Sequence, residues 1–467
     1  MKRIIAVIVI ILLLMPLNQT REEGINAKNV PTKEDVFGFI FALQKKVFNF
    51  RFSQKADLLE EIVAKTGKID YFDYNYVIIK DAIEEFYKAE GISYNNSSID
   101  LFVEKLNSTF TSDELYAISL LLFSYADVLN AVTRKQQIEE ILETWQNVRK
   151  ATYYLTNCSI NESLSDEYNL IIMGCKRNEK YASNYKFIID FGGNDSYETG
   201  NNSFLLDMKG GDEYKGLSGN NSINLVFDLA GNDIYRRIPY AVQGIDFLVD
   251  AEGNDEYFGS VAYSYENGMA VLVDAEGNDI YDGKNYSQGY SNNGFSLLID
   301  MRGDDIYKAS NYCQASSENG GVSCLLDLYG NDAFFAADHA QSYATGLPRT
   351  SLSIFMNLAG DDYYEAKDFS QGYGEKGGMA FFFDFLGEDN YYASQFSQAS
   401  SSWLGLAVLL DGDGKNKFSG GFFSQGNQRW GGYSFFLNDF NADDIYEILT
   451  LPEKLDIDLS KLLSNFL

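Results

Sequence analysis

The chain has 467 residues, of which 67 are acidic and 37 are basic, and its formal net charge is −30. This charge opposes electrostatic capture of nucleic acid or of anionic lipid, so we expect no nucleic-acid partner, and it favours cations and basic partners. With 45% hydrophobic and 15% aromatic residues, the composition excludes a mainly disordered polymer and predicts buried cores in two or three domains.

The N-terminus is typical of an export signal. Lys2 and Arg3 precede an apolar run from Ile4 to Leu14, which has the charge and length of a secretory signal. The run is short for a membrane span, but the LNQT after Pro16 is a poor cleavage site. Residues 1–20 are therefore predicted as a cleaved signal peptide or a retained N-terminal anchor, which would be the chain's one membrane contact. We expect a secreted or cell-envelope protein.

The segment after a polar linker at 21–30 is predicted to be an all-α domain over residues 31–165. Apolar residues recur there at three-to-four spacing, as in Val36, Ile40 and Leu43, and similar runs continue to about residue 155. Thr111 and Glu114 have the spacing of a capping box at a helix start. The pattern indicates about five or six helices.

An internal repeat follows and determines the fold of the rest of the chain. Each unit is a short apolar strand ending in Asp, followed by Gly, by Asn or Asp, by Asp and by an aromatic residue, as in VLVDAEGNDIY at Val271–Tyr281. We number this terminal Asp as position 0. The residues at position 0, called column 0, are Asp190, Asp207, Asp228, Asp250, Asp274, Asp300, Asp327, Asn357, Asp384, Asp411 and Asp439. Successive members are 17 to 30 residues apart.

Units of this kind predict a parallel β-solenoid. Each short strand pairs with its counterparts in neighbouring coils, so residues at equal positions form columns with a spacing of about 4.8 Å. Residues 166–450 are predicted to form about 11–12 tapered coils, and residues 451–467 a C-terminal cap. The fold class is thus α + β multi-domain, with an all-α domain followed by a β-solenoid. Gly at position 3 is attributed to a corner with positive φ, and Gln at position 14 to a ladder of amides that donate to one another.

A second acidic column lies at position 5. Neighbouring carboxylates about 4.8 Å apart repel by roughly 0.9 kcal/mol in water and by more at a lower dielectric. A hard cation such as calcium, which takes carboxylate and carbonyl oxygens, would offset this repulsion. Column 5, the candidate metal site, consists of Asp195, Asp212, Asp233, Asp255, Asp279, Asp305, Asp332, Asp362, Asp389 and Asp444. The alternative is that these side chains only cap the backbone of the corner.

The corner sequence D-x-x-G-N-D-x-Y resembles the calcium-binding turn of hemolysin-type (RTX) β-rolls, whose G-G-x-G-x-D-x-U-x unit joins a Gly-rich turn to an apolar strand. The closest local match is FGGNDSY at Phe191–Tyr197. The resemblance covers about eight residues per coil. The period here is longer and variable, and each coil has one such corner instead of two facing ones. The resemblance implies calcium as a structural ion.

Few other residues stand out as candidate sites. Trp403 and Trp430 share position 19 in adjacent coils and are candidates either for stacking on sugar rings or for extra packing near the C-terminal cap. His339, the one histidine, occupies a column of aromatic residues and is predicted to be packed, and Asp338 and Arg349 are the irregular residues that an enzyme could use.

The cysteines give no disulfide framework. Four cysteines, Cys158, Cys175, Cys313 and Cys324, permit two disulfides in an oxidising compartment but are too few to act as a scaffold in so long a chain. Cys313 and Cys324 fall in columns of small or apolar residues and are predicted to be packed.

The sequence favours an exported or cell-surface scaffold or binding protein that engages surface proteins or polysaccharides, with calcium as a candidate structural ion. No catalytic residue is assigned. One alternative is a carbohydrate-active enzyme, either a polysaccharide lyase or a hydrolase, because parallel β-helices carry such activities on carboxylates. The other is a passive envelope spacer.

Overall fold

The computed structural model describes residues 79–448, except for 157, 159, 183, 199–201, 216–218, 347–348, 413 and 439–444. The predicted signal or anchor, the linker, the start of the all-α domain and the C-terminal cap lie outside these residues, as does Asp444 of column 5. The chain divides into two compact units between Leu155 and Thr156, whereas the sequence places this boundary at residue 165.

The described part of the first unit is all-α. Its helices are α1 (Ile79–Ala89), α2 (Asn96–Thr109), α3 (Ser112–Asn130) and α4 (Arg134–Leu155). Helix α3 begins at the predicted capping box, in which the Thr111 N–H donates to the Glu114 carboxylate at 2.7 Å. Helix α3 packs against α1 and α4 through a fully buried apolar face. Among the helices that the structure describes, none has the length and hydropathy required to cross a bilayer.

The second unit is a parallel β-solenoid, as predicted, built from three sheets of 13, 12 and 8 strands. Sheet A consists of Leu164–Ser165, Ile171–Met173, Phe187–Asp190, Ser203–Asp207, Ile223–Asp228, Ile245–Asp250, Met269–Asp274, Phe295–Asp300, Val322–Asp327, Leu352–Asn357, Met379–Asp384, Leu406–Asp411 and Tyr433–Leu437. Sheet B consists of Lys180–Tyr181, Ser196–Glu198, Glu213–Lys215, Ile234–Arg236, Glu256–Phe258, Ile280–Asp282, Ile306–Lys308, Ala333–Phe335, Tyr363–Glu365, Asn390–Tyr392, Lys417–Gly420 and Ile445–Ile448. Sheet C consists of Gly219–Asn220, Tyr240–Val242, Tyr263–Tyr265, Tyr290–Asn292, Ser316–Glu318, Tyr343–Thr345, Tyr373–Glu375 and Ser400–Ser402.

The taper follows from sheet C. The 17-residue step from Asp190 to Asp207 contains a strand of sheet B but none of sheet C among its described residues. The next step contains the two-residue strand Gly219–Asn220, and each step from Asp228 to Asp411 contains a strand of three residues. About seven full coils lie between residues 240 and 437. The first increase in step length read from the sequence is thus the addition of a third side, and the later increase lies in the connections between strands.

The strands stack in exact register, so that each position forms a column. Asp250, Asp274 and Asp300 are paired in sheet A, and every sheet contact described is parallel except that of the first strand of sheet A with the second. The core between sheets A and B contains Leu272 and its counterparts facing a column of aromatic rings at position 7. The ring of Tyr281 stacks on those of the adjacent coils with centroid distances of 4.7 and 4.5 Å.

The predicted amide ladder at position 14 is mostly wrong. The Gln288 side-chain N–H group donates to the carbonyl oxygens of Tyr281 at 2.8 Å and Lys308 at 2.9 Å. Among the hydrogen bonds of the described residues, the bond from Gln371 to Gln341, 3.1 Å long, joins two of these amides directly. The amides bind main-chain carbonyls of sheet B instead, because buried carbonyl oxygens need a donor.

Candidate functional site

Columns 0 and 5 flank one corner of the solenoid. Position 0 is the last residue of each full strand in sheet A, and position 5 precedes the strand of sheet B. Both carboxylates are buried, with exposed fractions of 0% for Asp274 and 1% for Asp279. A buried carboxylate requires hydrogen bonds and a counter-charge, or it takes up a proton. The partners of each oxygen therefore decide what this corner can bind.

Each column 5 carboxylate uses one oxygen to hold the coil before it. The Asp255 N–H donates to Asp279 Oδ1 at 2.6 Å, and the Asp279 N–H donates to Asp305 Oδ1 at 2.6 Å. The second oxygen, Oδ2, is buried and has no hydrogen-bond partner within the described structure in Asp195, Asp212, Asp233, Asp255, Asp279, Asp305, Asp332 and Asp389. Capping of the backbone thus occupies only one of the two oxygens of each of these carboxylates.

Column 0 is held by tyrosines at position 7 of the preceding coil. The hydroxyl groups of Tyr257 and Tyr281 donate to the Oδ2 atoms of Asp274 at 2.6 Å and of Asp300 at 2.7 Å. The other oxygen, Oδ1, is buried without a partner among the described residues in Asp250, Asp274, Asp327 and Asp384. The spacing of the repeat did not predict these tyrosine–aspartate bonds.

The two columns converge into triads of carboxylates. One oxygen from each of Asp255, Asp274 and Asp279 lies within 4.8 Å of the other two. Six further groups among the described residues have the same limit, and they include Asp190, Asp195 and Asp207; Asp212, Asp228 and Asp233; Asp233, Asp250 and Asp255; and Asp279, Asp300 and Asp305. Two charges at this separation repel by roughly 3 kcal/mol at an effective dielectric of about 20. Columns 0 and 5 therefore form one cluster of carboxylates.

Burial and repulsion raise the pKa of these groups far above the ordinary value for Asp. Burial, opposed in part by the hydrogen bond from the Asp233 N–H, raises the pKa of Asp255 to about 7. Burial, with the nearby Asp300 carboxylate as the next cause, raises the pKa of Asp279 to about 8 and that of Asp305 to about 10. At neutral pH the columns must therefore hold protons or cations.

Glycine at position 3 is explained by stacking in most coils and not by the predicted positive φ. A Cβ at Gly277 would overlap the carbonyl oxygen of Gly253 in the preceding coil and lie 2.7 Å from Asp279 Oδ1. Gly277 and Gly253 do not have positive φ, whereas Gly303 does, at 156°. The corner is narrow because the main chains of successive coils approach one another beside the carboxylates.

A groove with a volume of about 420 Å³ runs along the outside of this corner. It is lined by Gly231, Gly253 and Gly277 together with Glu252 and Glu276. These glutamates place negative charge outside the buried columns, which attracts cations towards the corner.

The two tryptophans predicted as a sugar contact lie side by side. Trp403 and Trp430 are 53% and 61% exposed, and their ring centroids are 4.9 Å apart with planes inclined by 33°. Rings this close overlap, so their shared faces are covered and only the edges and outer faces are free. The Arg429 guanidinium lies 5.4 Å from the Trp430 ring and 3.7 Å from that of Phe423.

His339 and the cysteines have packed environments. His339 stacks between Tyr312 and Phe369, with centroid distances of 4.7 and 4.9 Å, and burial lowers its pKa. All four cysteines are buried, and burial raises the pKa of Cys313 and Cys324.

The irregular residues considered for an enzyme have structural partners. Asp338 Oδ1 accepts the backbone N–H of Asp368 in the next coil at 3.1 Å. Arg349 donates to the side-chain oxygen of Asn293 at 2.9 Å. Asp338 thus ties neighbouring coils together, and Arg349 contacts the second coil before its own.

The chain matches no family model, no curated protein and no solved structure.

Proposed function

We propose that this chain is an exported, cell-surface β-solenoid scaffold whose coils are stabilised by calcium bound along columns 0 and 5. The observation that carries the proposal is the repeated triad of buried carboxylates, in which the Oδ2 atom of each column 5 member accepts no hydrogen bond within the described structure. Calcium binds such oxygens in flexible sets, and extracellular modules hold it at the concentrations found outside cells. The export-like N-terminus supports that location.

Charge balance favours a divalent ion. A regular coil contributes two buried carboxylates, one from each column, so one divalent ion per coil neutralises the pair without a bound proton. Asp255, Asp274 and Asp279 would hold one such ion, and the hydroxyl group of Tyr257 fixes the orientation of the Asp274 carboxylate. A cation in each triad would also convert the repulsion between coils into attraction.

Thermal unfolding in calcium and in chelator tests this proposal. A ligand at 100 times its Kd stabilises by about 2.7 kcal/mol per site, and several sites together should raise the Tm by at least about 10 °C. Asp279→Asn should reduce this rise, while Asp282→Asn, which changes an exposed Asp three residues away, should not. The same Tm in calcium and in chelator would exclude calcium as a structural ion.

We propose that the tryptophan pair is the partner contact and that its ligand is a surface polysaccharide. Two exposed indole rings beside one guanidinium offer stacking and a positive charge in an otherwise acidic protein. Binding to surface polysaccharides should weaken at least tenfold in Trp430→Ala but not in Tyr286→Ala, which removes an exposed aromatic ring elsewhere. Equal binding by Trp430→Ala and the unmodified protein would rule out this contact.

A further inference from the structure

Column 0 is interrupted at Asn357, and the aromatic ring that would donate to this position is changed as well. Strand pairing places Asn357 between Asp327 and Asp384. The ring at position 7 of the preceding coil is Phe334, which has no hydroxyl group to donate. Phe418 also lacks a hydroxyl group, but the next member of column 0, Asp439, lies outside the described residues. Within the described coils, the carboxylate and its tyrosine donor are thus lost together.

The Asn357 side chain presents a donor where the other coils present an acceptor. It is fully buried, its Oδ1 accepts the backbone N–H of Ala359 at 3.1 Å, and its Nδ2 has no hydrogen-bond partner within the described residues. An amide nitrogen carries hydrogens and no available lone pair, so it does not bind a cation. The coil of Asn357 therefore has one buried negative charge fewer and one unused donor.

Asn416 shows what an amide does in these columns. It replaces Asp at position 5, and its Nδ2 donates to Asp411 Oδ1 at 2.8 Å. The amide hydrogen provides the carboxylate with the positive partner that a cation would provide in other coils. Asn357 and Asn416 thus lie on either side of one coil that keeps both carboxylates, Asp384 and Asp389.

That enclosed coil retains the geometry of a cation site. The Tyr364 hydroxyl lies 2.7 Å from Asp384 Oδ2 and 3.4 Å from Asp362 Oδ2, and the Tyr391 hydroxyl also donates to Asp384 Oδ2, at 2.8 Å. Asp389 Oδ2 is buried and has no partner among the described residues. The Asp362 N–H donates to Asp389 Oδ1 at 2.8 Å, so these three carboxylates hold the same column positions as the triads before Asn357.

We infer that the cations occupy two separate groups: an array from Asp190 to Asp332, and a single site formed by Asp362, Asp384 and Asp389, divided by Asn357. This inference rests on the proposed function, because it concerns the distribution of ions along the same columns. Within the array, neighbouring ions repel at a spacing of about 4.8 Å, so its last sites fill at higher calcium. The single site has no adjacent ion and fills first. It belongs to the coil that carries Trp403.

The number of bound ions tests this division. The full chain is freed of metal with chelator, dialysed against calcium, and its bound calcium is counted by elemental mass spectrometry. Phe334→Tyr combined with Asn357→Asp restores the carboxylate and its donor, so the chain should gain at least one ion. Phe334→Tyr alone is the matched control and should gain none. Asp384→Asn should lose one ion, and specifically the one that binds at the lowest calcium.

The outcomes separate the two claims. If the unmodified protein binds no calcium, the proposed function fails and this division fails with it. If the unmodified protein binds calcium but the double variant gains no ion, or Asp384→Asn loses none, the division is wrong while the proposed function stands. Circular dichroism of each variant establishes folding, and Asp384→Asn alone decides the result if the double variant does not fold.

Discussion

Replacing Gly330 with Ala is expected to destabilise the solenoid by more than about 3 kcal/mol. The new Cβ would overlap the carbonyl oxygen of Gly303 in the preceding coil and lie 2.7 Å from Asp332 Oδ1. The main chain cannot move away freely, because the Gly330 N–H donates to the carbonyl of Ala359 in the following coil at 3.2 Å. Relief of the overlap therefore disturbs three coils at once.

The matched control is Gly259→Ala. Gly259 has φ of 88°, but no atom lies within 4 Å of the place where a Cβ would be. This change should cost only about 1 kcal/mol, from backbone strain alone. Urea unfolding of both variants gives the comparison. Similar small losses would contradict the conclusion that close stacking, and not backbone conformation, selects glycine at position 3.

The metal-free protein is expected to lose stability as the pH rises from about 4 to about 9. The pKa values of Asp255, Asp279 and Asp233, raised by burial, are about 7, about 8 and about 9 in the folded state. The folded state therefore binds more protons than the unfolded chain. This stabilisation is fully present below the ordinary pKa of Asp and disappears as the pH passes through the raised values. Each proton that the folded state holds in excess contributes a slope of about 1.4 kcal/mol per pH unit.

A series of melting curves in chelator checks this slope. The Tm should fall steadily between about pH 5 and about pH 9, and saturating calcium should remove most of the fall, because the cation takes the place of the protons. Asp279→Asn should reduce the slope in chelator, while Asp282→Asn should not. A Tm in chelator that is constant or rises with pH would mean that the columns are not protonated in the folded state.

The sheets could be predicted from the sequence because parallel stacking converts a repeat into a column. The apolar run before each Asp and the aromatic residue after it mark sheets A and B at constant spacing, as in Val271–Tyr281. Sheet C has no such mark, since its strands differ in composition from Tyr240–Val242 to Ser400–Ser402. Its residues are selected by contacts with neighbouring coils, which a single repeat unit does not reveal.

The partners of the carboxylates could not be predicted for a related reason. Tyr181 and Asp190 are 9 residues apart, whereas Tyr281 and Asp300 are 19 apart, although the two bonds are equivalent. The separation changes because the coil between donor and acceptor grows. The joint change to Phe334 and Asn357 was the one signal in the sequence that links the rings at position 7 with column 0.

The adjacency of the tryptophans followed from the repeat, but their overlap did not. Position 19 places Trp403 and Trp430 in neighbouring coils, and side-chain rotamers then decide whether the ring faces point outwards or towards each other. In the structure the rings cover one another in part. A ligand on this surface would therefore meet the edges and outer faces.

The most direct measurement is a calorimetric titration of the metal-free protein with calcium near neutral pH, performed in two buffers with different heats of ionisation. The difference between the two heats gives the number of protons released for each calcium bound. If cations replace protons in columns 0 and 5, calcium binds at several sites and releases protons, and Asp279→Asn reduces both numbers. An absence of calcium binding, or binding that releases no protons and is unchanged by Asp279→Asn, would contradict a cation-stabilised solenoid.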